Sequence, residues 1–225
     1  NHNKHVLCEN PIGNTEEEIN QCFELAEEKN LKLLIGSHRR FDKEYNLLYD
    51  KIKYDKPKTI HMITKDHLGM PSIEYLRTSN GIIEDIISHD IDIVNWYMNN
   101  RIPVKVIAFS YTHIDYLLEE NEIEGIEIML QYDDGEIVNL NSSRNAFYGY
   151  DQKVEICTSN KVYKLVNRRE KLNQHYTEGM IHHSHITDNV PQRYKETYTN
   201  EHKMFSDIIK NKKDAPINKA DILLT

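Results

Sequence analysis

The chain has 225 residues, 28 basic and 36 acidic, for a formal charge of −8. With no basic excess to neutralise a phosphate backbone, broad nucleic-acid binding is excluded as a primary role. No apolar run approaches the roughly 18–20 residues a bilayer crossing needs, so no membrane partner is expected. Apolar residues make up 39% of the chain, with 14 Tyr and 5 Phe, enough to build a core. Cys8, Cys22 and Cys157 are widely spaced and form no CxxC pair. They read as reduced thiols in a cytoplasmic protein rather than as a disulfide or zinc framework.

His5–Cys8 is a short apolar stretch closed by Glu9-Asn10-Pro11. Thr15 reads as a helix cap, with Glu16, Glu17 and Glu18 in the first turn complementing the helix dipole. Ile19, Cys22, Phe23 and Ala26 recur at i, i+3, i+4 and i+7, and predict a helix to about Lys29. Leu31–Gly36 is a near-continuous apolar run, the pattern of a strand covered on both faces. Together these predict a strand–helix–strand unit, right-handed if its strands are parallel neighbours. One such unit cannot cover its own sheet, so it reads as the last piece of a larger parallel sheet whose earlier strands lie upstream. The sequence has no GxGxxG loop.

After Gly36 the pattern changes. An amphipathic helix is predicted over 41–54 and a strand over 58–65. Residues 81–99 predict a strong helix. Strands follow at 104–112, 124–132, 137–143, 152–158 and 161–166, with Asp134-Gly135 and Ser159-Asn160 as hairpin turns. Residues 171–192 are polar and His-rich and predict a loop, before a final helix over 194–210. The layout is α+β: a large, mainly antiparallel open sheet with helices on one face.

Four clusters could carry chemistry. In the helix at 81–99, Ile82, Ile83, Ile86, Ile87, Ile91, Ile93, Val94 and Trp96 leave almost no polar face. Asp85, His89 and Asp92 nevertheless fall at i, i+4 and i+7, on one stripe. A carboxylate one turn from an imidazole fixes its tautomer and raises its basicity, as a general base requires. A structural hydrogen-bonded pair has the same spacing, and on spacing alone it is the stronger reading. Residues 143–152 (SRNAFYGYDQ) offer hydroxyl-binding side chains and flat aromatic faces, or else an aromatic strand edge. His182, His183 and His185 complete no recognised metal spacing, so an exposed loop is favoured and no metal is expected. His38-Arg39-Arg40 follows the second buried strand. In open α/β sheets ligands bind at strand carboxyl ends, so a cofactor-facing Arg39 and a solvated pair both fit.

The segments HVLCENP (5–11), GSHRRFD (36–42), NGIIEDIISHDIDIVNW (80–96), RNAFYGYDQKVEI (144–156) and PQRYKETY (191–198) occur in an order that resembles the Gfo/Idh/MocA oxidoreductases, most closely the inositol 2-dehydrogenase-like members. The resemblance implies an NAD- or NADP-binding Rossmann domain, of which residues 1–37 would be the remnant. Residues 38–225 would be an α+β domain for substrate binding and oligomerisation. It implies that His89 accepts a proton from a polyol or sugar hydroxyl while hydride passes to nicotinamide, and that Asp85 orients His89. Glu9, Asn10, Pro11 and Arg39 would contact the cofactor, and Asn80, Tyr148, Tyr150 and Arg193 the substrate. A homodimer or homotetramer through the open sheet is implied too. The family's Glu-Lys-Pro signature reads Glu9-Asn10-Pro11 here. Asparagine can hydrogen-bond but lacks the cation that would stabilise a developing alkoxide. Two expectations follow: a polyol dehydrogenase, or a relative with impaired turnover that binds a ligand or pairs with another subunit.

Overall fold

A computed structural model describes residues 2–67, 71–169, 174–178, 180–187 and 189–225, with the side chains of 174–176, 182 and 183 outside the description. The chain divides into two compact units. One comprises 1–49, 91–101 and 194–225; the other comprises 50–90 and 102–193.

The first unit opens with β1 (Val6–Glu9), α1 (Glu16–Glu28) and β2 (Leu33–Gly36), and the two strands pair in parallel from Val6↔Leu33 to Glu9↔Gly36. The Thr15 hydroxyl accepts from the Glu18 amide at 3.2 Å, so α1 starts where its capping residue and acidic first turn put it. A 3-10 turn over His38–Phe41 leads into α2 (Lys43–Ile52). Leu34, Ile35 and Phe41 pack with Ile208 of α6 (Val190–Asn211), with Ile217, and with Ile222 of α7 (Lys219–Leu223). Asn218 and Asp221 close a reciprocal capping box on α7. Residues 91–101 are held by a buried ion network. Arg40 Nε donates to Asp92 Oδ2 at 3.1 Å, its Nη2 pairs ionically with Asp92 Oδ1 at 2.8 Å, and the guanidinium reaches Asp221 at 3.4 Å and lies over the Trp96 ring. Trp96 in turn stacks on Tyr49, with ring centroids 4.3 Å apart.

The second unit is built on a six-stranded sheet ordered β4-β5-β6-β3-β7-β8. Its strands are β3 (Thr59–His67), β4 (Lys105–Tyr111), β5 (Gly125–Gln131), β6 (Ile137–Ala146), β7 (Asp151–Cys157) and β8 (Val162–Leu165). Only β3 and β6 run parallel; the other neighbours are antiparallel. Alternation assigns the faces. Ile60, Met62, Val138, Leu140, Val154 and Ile156 are buried on one side. The opposite side carries His61, Asn139, Glu127 and Glu155, and at its β4 edge the exposed Ile107, Phe109, Tyr111 and Met129. Gly125 is forced by this edge: the Tyr111 ring lies over it, and a Cβ there would come within 2.3 Å of that ring. At the Asp134-Gly135 hairpin, Gly135 takes the positive φ (+87°) that such turns favour. The short helices α3 (Ile73–Thr78) and α5 (Asp115–Glu119) bury Leu76 and Leu117.

Two expectations are corrected here. Residues 171–192, expected to be a loop, contain a two-stranded antiparallel hairpin, β9 (Gln174–Thr177) with β10 (Met180–His183). Its polar composition hid it, because pairing came from the backbone and not from an apolar face. The long helix expected over 81–99 is not uniformly α-helical. Ile83–Ile87 is a π-helical turn, and only Ser88–Tyr97 (α4) is regular α-helix.

Candidate active site

The π turn lies against β6, the strand that ends in the RNAFYGYDQ segment. A π turn widens the helix by one residue, so side chains on its two sides no longer follow the i, i+4 stripe. Asp85 lies inside the π turn and His89 after it, so their i, i+4 spacing does not place them on one stripe, and Asp92 is committed to Arg40 in the first unit. Asp90, in the second unit, is buried and accepts from the Thr64 hydroxyl at 2.6 Å and the Ser142 hydroxyl at 3.0 Å. Those two bonds pin the start of α4 to β3 and β6.

Asp85 is held from two sides. Its Oδ2 accepts from Arg144 Nη1 at 2.7 Å, and its Oδ1 accepts from the Tyr75 hydroxyl at 2.5 Å. Arg144 is buried (1% exposed) and also donates through Nε to Glu122 at 3.1 Å; its Nη2 has no hydrogen-bond partner. The Tyr116 hydroxyl, likewise buried without a partner, is close enough to Arg144 to feel its charge. Burial, with the Asp85 bond and charge adding to it, raises the Tyr75 phenol far above its usual range, so it stays a donor. His89 lies half-buried four residues after Asp85. Carboxylate and arginine thus meet at the junction of the π turn with the end of β6, and His89 follows in the first turn of α4.

The second sequence cluster forms its own network at the β6–β7 corner. The Tyr148 hydroxyl donates to Asp151 Oδ2 at 2.5 Å, the Asn167 amide donates to Oδ1 at 2.5 Å, and Lys153 lies 2.8 Å from Oδ2. Burial, with the Asp151 bond and charge adding to it, pushes the Tyr148 phenol up to about 12. Tyr148 is partly exposed at 44%, whereas Tyr150 is buried and its amide donates to the Thr187 carbonyl at 2.9 Å. Asn80, in a left-handed conformation (φ +57°), is exposed and donates to Glu84 at 2.8 Å. Arg193 is buried.

In the first unit, Glu9 ends β1, with Asn10 half-buried and Pro11 exposed beyond it. Arg39, expected to face a cofactor, is 2% exposed. The side chains of His182 and His183 lie outside the described residues; His185 is exposed. Among the described residues the one grouping with metal-ligand spacing is Asp133, Asp134 and Glu136, where Lys56 pairs with both Asp134 and Glu136.

Sequence reasoning did not single out Tyr75, Glu122 or Arg144 as site residues. Arg144 opens a segment already marked as informative, but its partner Asp85 is 59 residues away and no spacing rule joins them. For Tyr75 the sequence gives no signal.

The fold, a mixed sheet unit in a chain that also carries a parallel βαβ unit, superposes on solved dehydrogenase structures. Residues 54–164 match the GFO/IDH/MocA C-terminal domain. The chain is 28% identical over 210 residues to the inositol 2-dehydrogenase of Rhizobium meliloti, covering 90% of this chain and 62% of that protein. It is 25% identical over 222 residues to the myo-inositol 2-dehydrogenase of Thermotoga maritima, covering 97% and 66%. Among solved structures, the scyllo-inositol dehydrogenase of Lactobacillus casei with bound NAD(H) and scyllo-inositol superposes with a TM-score of 0.87 at 27% identity, over 98% of this chain and 67% of that one. The chain therefore spans less than two thirds of the length of the two curated relatives.

Proposed function

We propose that the chain supplies the substrate-binding and proton-accepting part of an NAD- or NADP-dependent dehydrogenase acting on an inositol-like polyol or a sugar. The observation that carries this reading is Asp85 held by hydrogen bonds from buried Arg144 and from Tyr75, four residues before His89. In this reading the fixed carboxylate orients the imidazole that takes up the proton. In this reading His89 receives the proton of the substrate hydroxyl, while Tyr148, presented at the surface by Asp151, and Asn80 bind neighbouring hydroxyls. Tyr150 and Arg193, the other residues assigned to substrate in this reading, are both buried. A nicotinamide cofactor, when bound, supplies the acceptor for the hydride.

The residues present fit such a cofactor only at one end. The β1 and β2 carboxyl ends offer the Glu9–Asn10–Pro11 turn, and Arg39 is buried behind them. The sequence has no glycine-rich loop to cradle a pyrophosphate. Residues 1–37 act in this reading as part of a larger Rossmann sheet, and α1, none of whose residues is fully buried, still has apolar surface to cover. In this reading the substrate and oligomerisation role of residues 38–225 falls to the second unit, residues 50–90 and 102–193. The apolar edge at Ile107, Phe109, Tyr111 and Met129 is the surface through which two copies would pair.

A second reading rests on Asn10. With no cation at that position, turnover would fall, and the protein would act as a ligand-binding or subunit-pairing relative. The test is the complete protein with NAD or NADP and a panel of inositols and sugars. Reduced nicotinamide with at least one polyol is expected. Polyol binding without reduction would favour the second reading. If Asn10→Lys then created turnover, asparagine would be identified as the impairing residue.

A further inference from the structure

The most unusual group in the first unit is not in the proposed proton-accepting site. Glu201, on α6, is completely buried, and among the described residues no donor reaches either of its carboxyl oxygens. It faces Gly36, the last residue of β2, with Glu9, the last residue of β1, on the other side. A Cβ built on Gly36 would lie 2.4 Å from Glu201 Oε1 and 2.6 Å from Glu9 Oε2. The glycine is therefore what lets two carboxyl groups approach one another at the carboxyl ends of both parallel strands.

Two ionised carboxylates in this position would repel, and the buried one would carry a charge with no donor, a costly arrangement. The surroundings do not neutralise it. From its own helix it feels His202 and has Tyr198 close by; from β1 it faces the Glu9 charge. From the 3-10 turn, Arg39 lies near Tyr198, and His38 packs on Tyr194 and Tyr198. Of these, only His202 acts on Glu201 in the favourable direction.

We propose that Glu9 and Glu201 share a single proton across Gly36, forming a proton-dependent clasp that ties α6 to the carboxyl ends of β1 and β2. Protonation removes the buried charge and gives Glu201 the donor it lacks, directed at the Glu9 carboxylate. Burial, with the Glu9 charge adding to it, pushes the Glu201 carboxyl up to about 7; burial also raises Glu9. The native state thus holds the proton more tightly than the unfolded chain, where the ordinary value is 4.5. Stability contributed by the clasp is complete below that value and is lost as pH rises through about 7.

The test is carboxyl-carbon NMR of the glutamate-labelled chain titrated from roughly pH 4 to pH 9, with unfolding by denaturant along the same series. The expected result is one glutamate titrating near neutrality, absent in Glu201→Gln and moved toward the ordinary range in Glu9→Gln. The unfolding constant of the wild type should rise about tenfold or more across the neutral range relative to Glu201→Gln, which already carries a neutral donor. Should Glu201→Gln fail to fold, Glu9→Gln carries the test alone through the position of that resonance. The proposal is overturned if every glutamate titrates near the ordinary value, as it would with a monovalent cation seated between two ionised groups. It is overturned equally if Glu9→Gln leaves the neutral titration where it was.

Discussion

Each unit of the molecule contains one buried arginine between two carboxylates, and the two are built differently. Arg40, in the first unit, uses its guanidinium on Asp92 and Asp221, both sealed from solvent, with Trp96 beneath it. Arg144, in the second unit, holds Asp85 and Glu122, whose side chains are still 16% and 13% exposed, and one of its terminal nitrogens has no partner. The first network is sealed from solvent and fixes structure. The second leaves two partly exposed carboxylates and a buried arginine nitrogen without a partner, and its Asp85 is shared with the hydroxyl of half-exposed Tyr75. Burial of the arginine alone does not distinguish structure from site; the state of its partners does.

The largest expected effect tests the closed network. Arg40→Ala leaves Asp92 buried without its cation and should cost about 3–5 kcal/mol of stability. Urea unfolding of the purified chain measures it, and a loss below about 1 kcal/mol would show the pair to be dispensable. Replacing both partners, Arg40→Met with Asp92→Leu, should recover most of that loss, because the cost comes from the stranded charge.

Arg144→Met should do the opposite: a smaller loss of stability, and a fall of about tenfold to a hundredfold in turnover of the complete protein. That fall follows because a carboxylate no longer held in place orients an imidazole poorly. Equal stability losses from Arg40→Ala and Arg144→Met, with turnover intact in the second, would erase the distinction. Gly36→Ala should cost about 1–3 kcal/mol, since the added carbon meets both Glu9 and Glu201. The smallest effect is that of Tyr75→Phe, about 1 kcal/mol or less, because the ring is half-exposed and Asp85 keeps Arg144. Thermal unfolding resolves it, together with a downward shift in kcat that the structural variants would lack.

Much of the architecture was legible from local rules. Thr15 with its three glutamates marked the start of α1, the apolar run before Gly36 marked a covered strand, and Asp134-Gly135 marked a hairpin. The α+β plan followed from the change of period after Gly36. Three things were not legible, for related reasons. The π turn at Ile83–Ile87 keeps the composition of an α-helix and changes only its register. The β9–β10 hairpin lacks an apolar face to betray it. The Arg144–Asp85 and Glu9–Glu201 juxtapositions join residues far apart in sequence, which no spacing reveals. The residues singled out in the helix were informative in composition, but the stripe that grouped them separated once Asp92 paired with Arg40.

The central claim is that the imidazole at position 89 accepts the substrate proton. The most direct measurement is the pH dependence of kcat/KM for polyol oxidation by the complete protein, compared with the His89→Gln variant and with the titration of His89 followed by NMR. The account predicts that the acidic limb of the rate profile coincides with the His89 titration, and that the variant loses about 10²–10⁴ in rate while still binding polyol. A variant that turns over at the wild-type rate, or a profile that ignores the His89 titration, would contradict it.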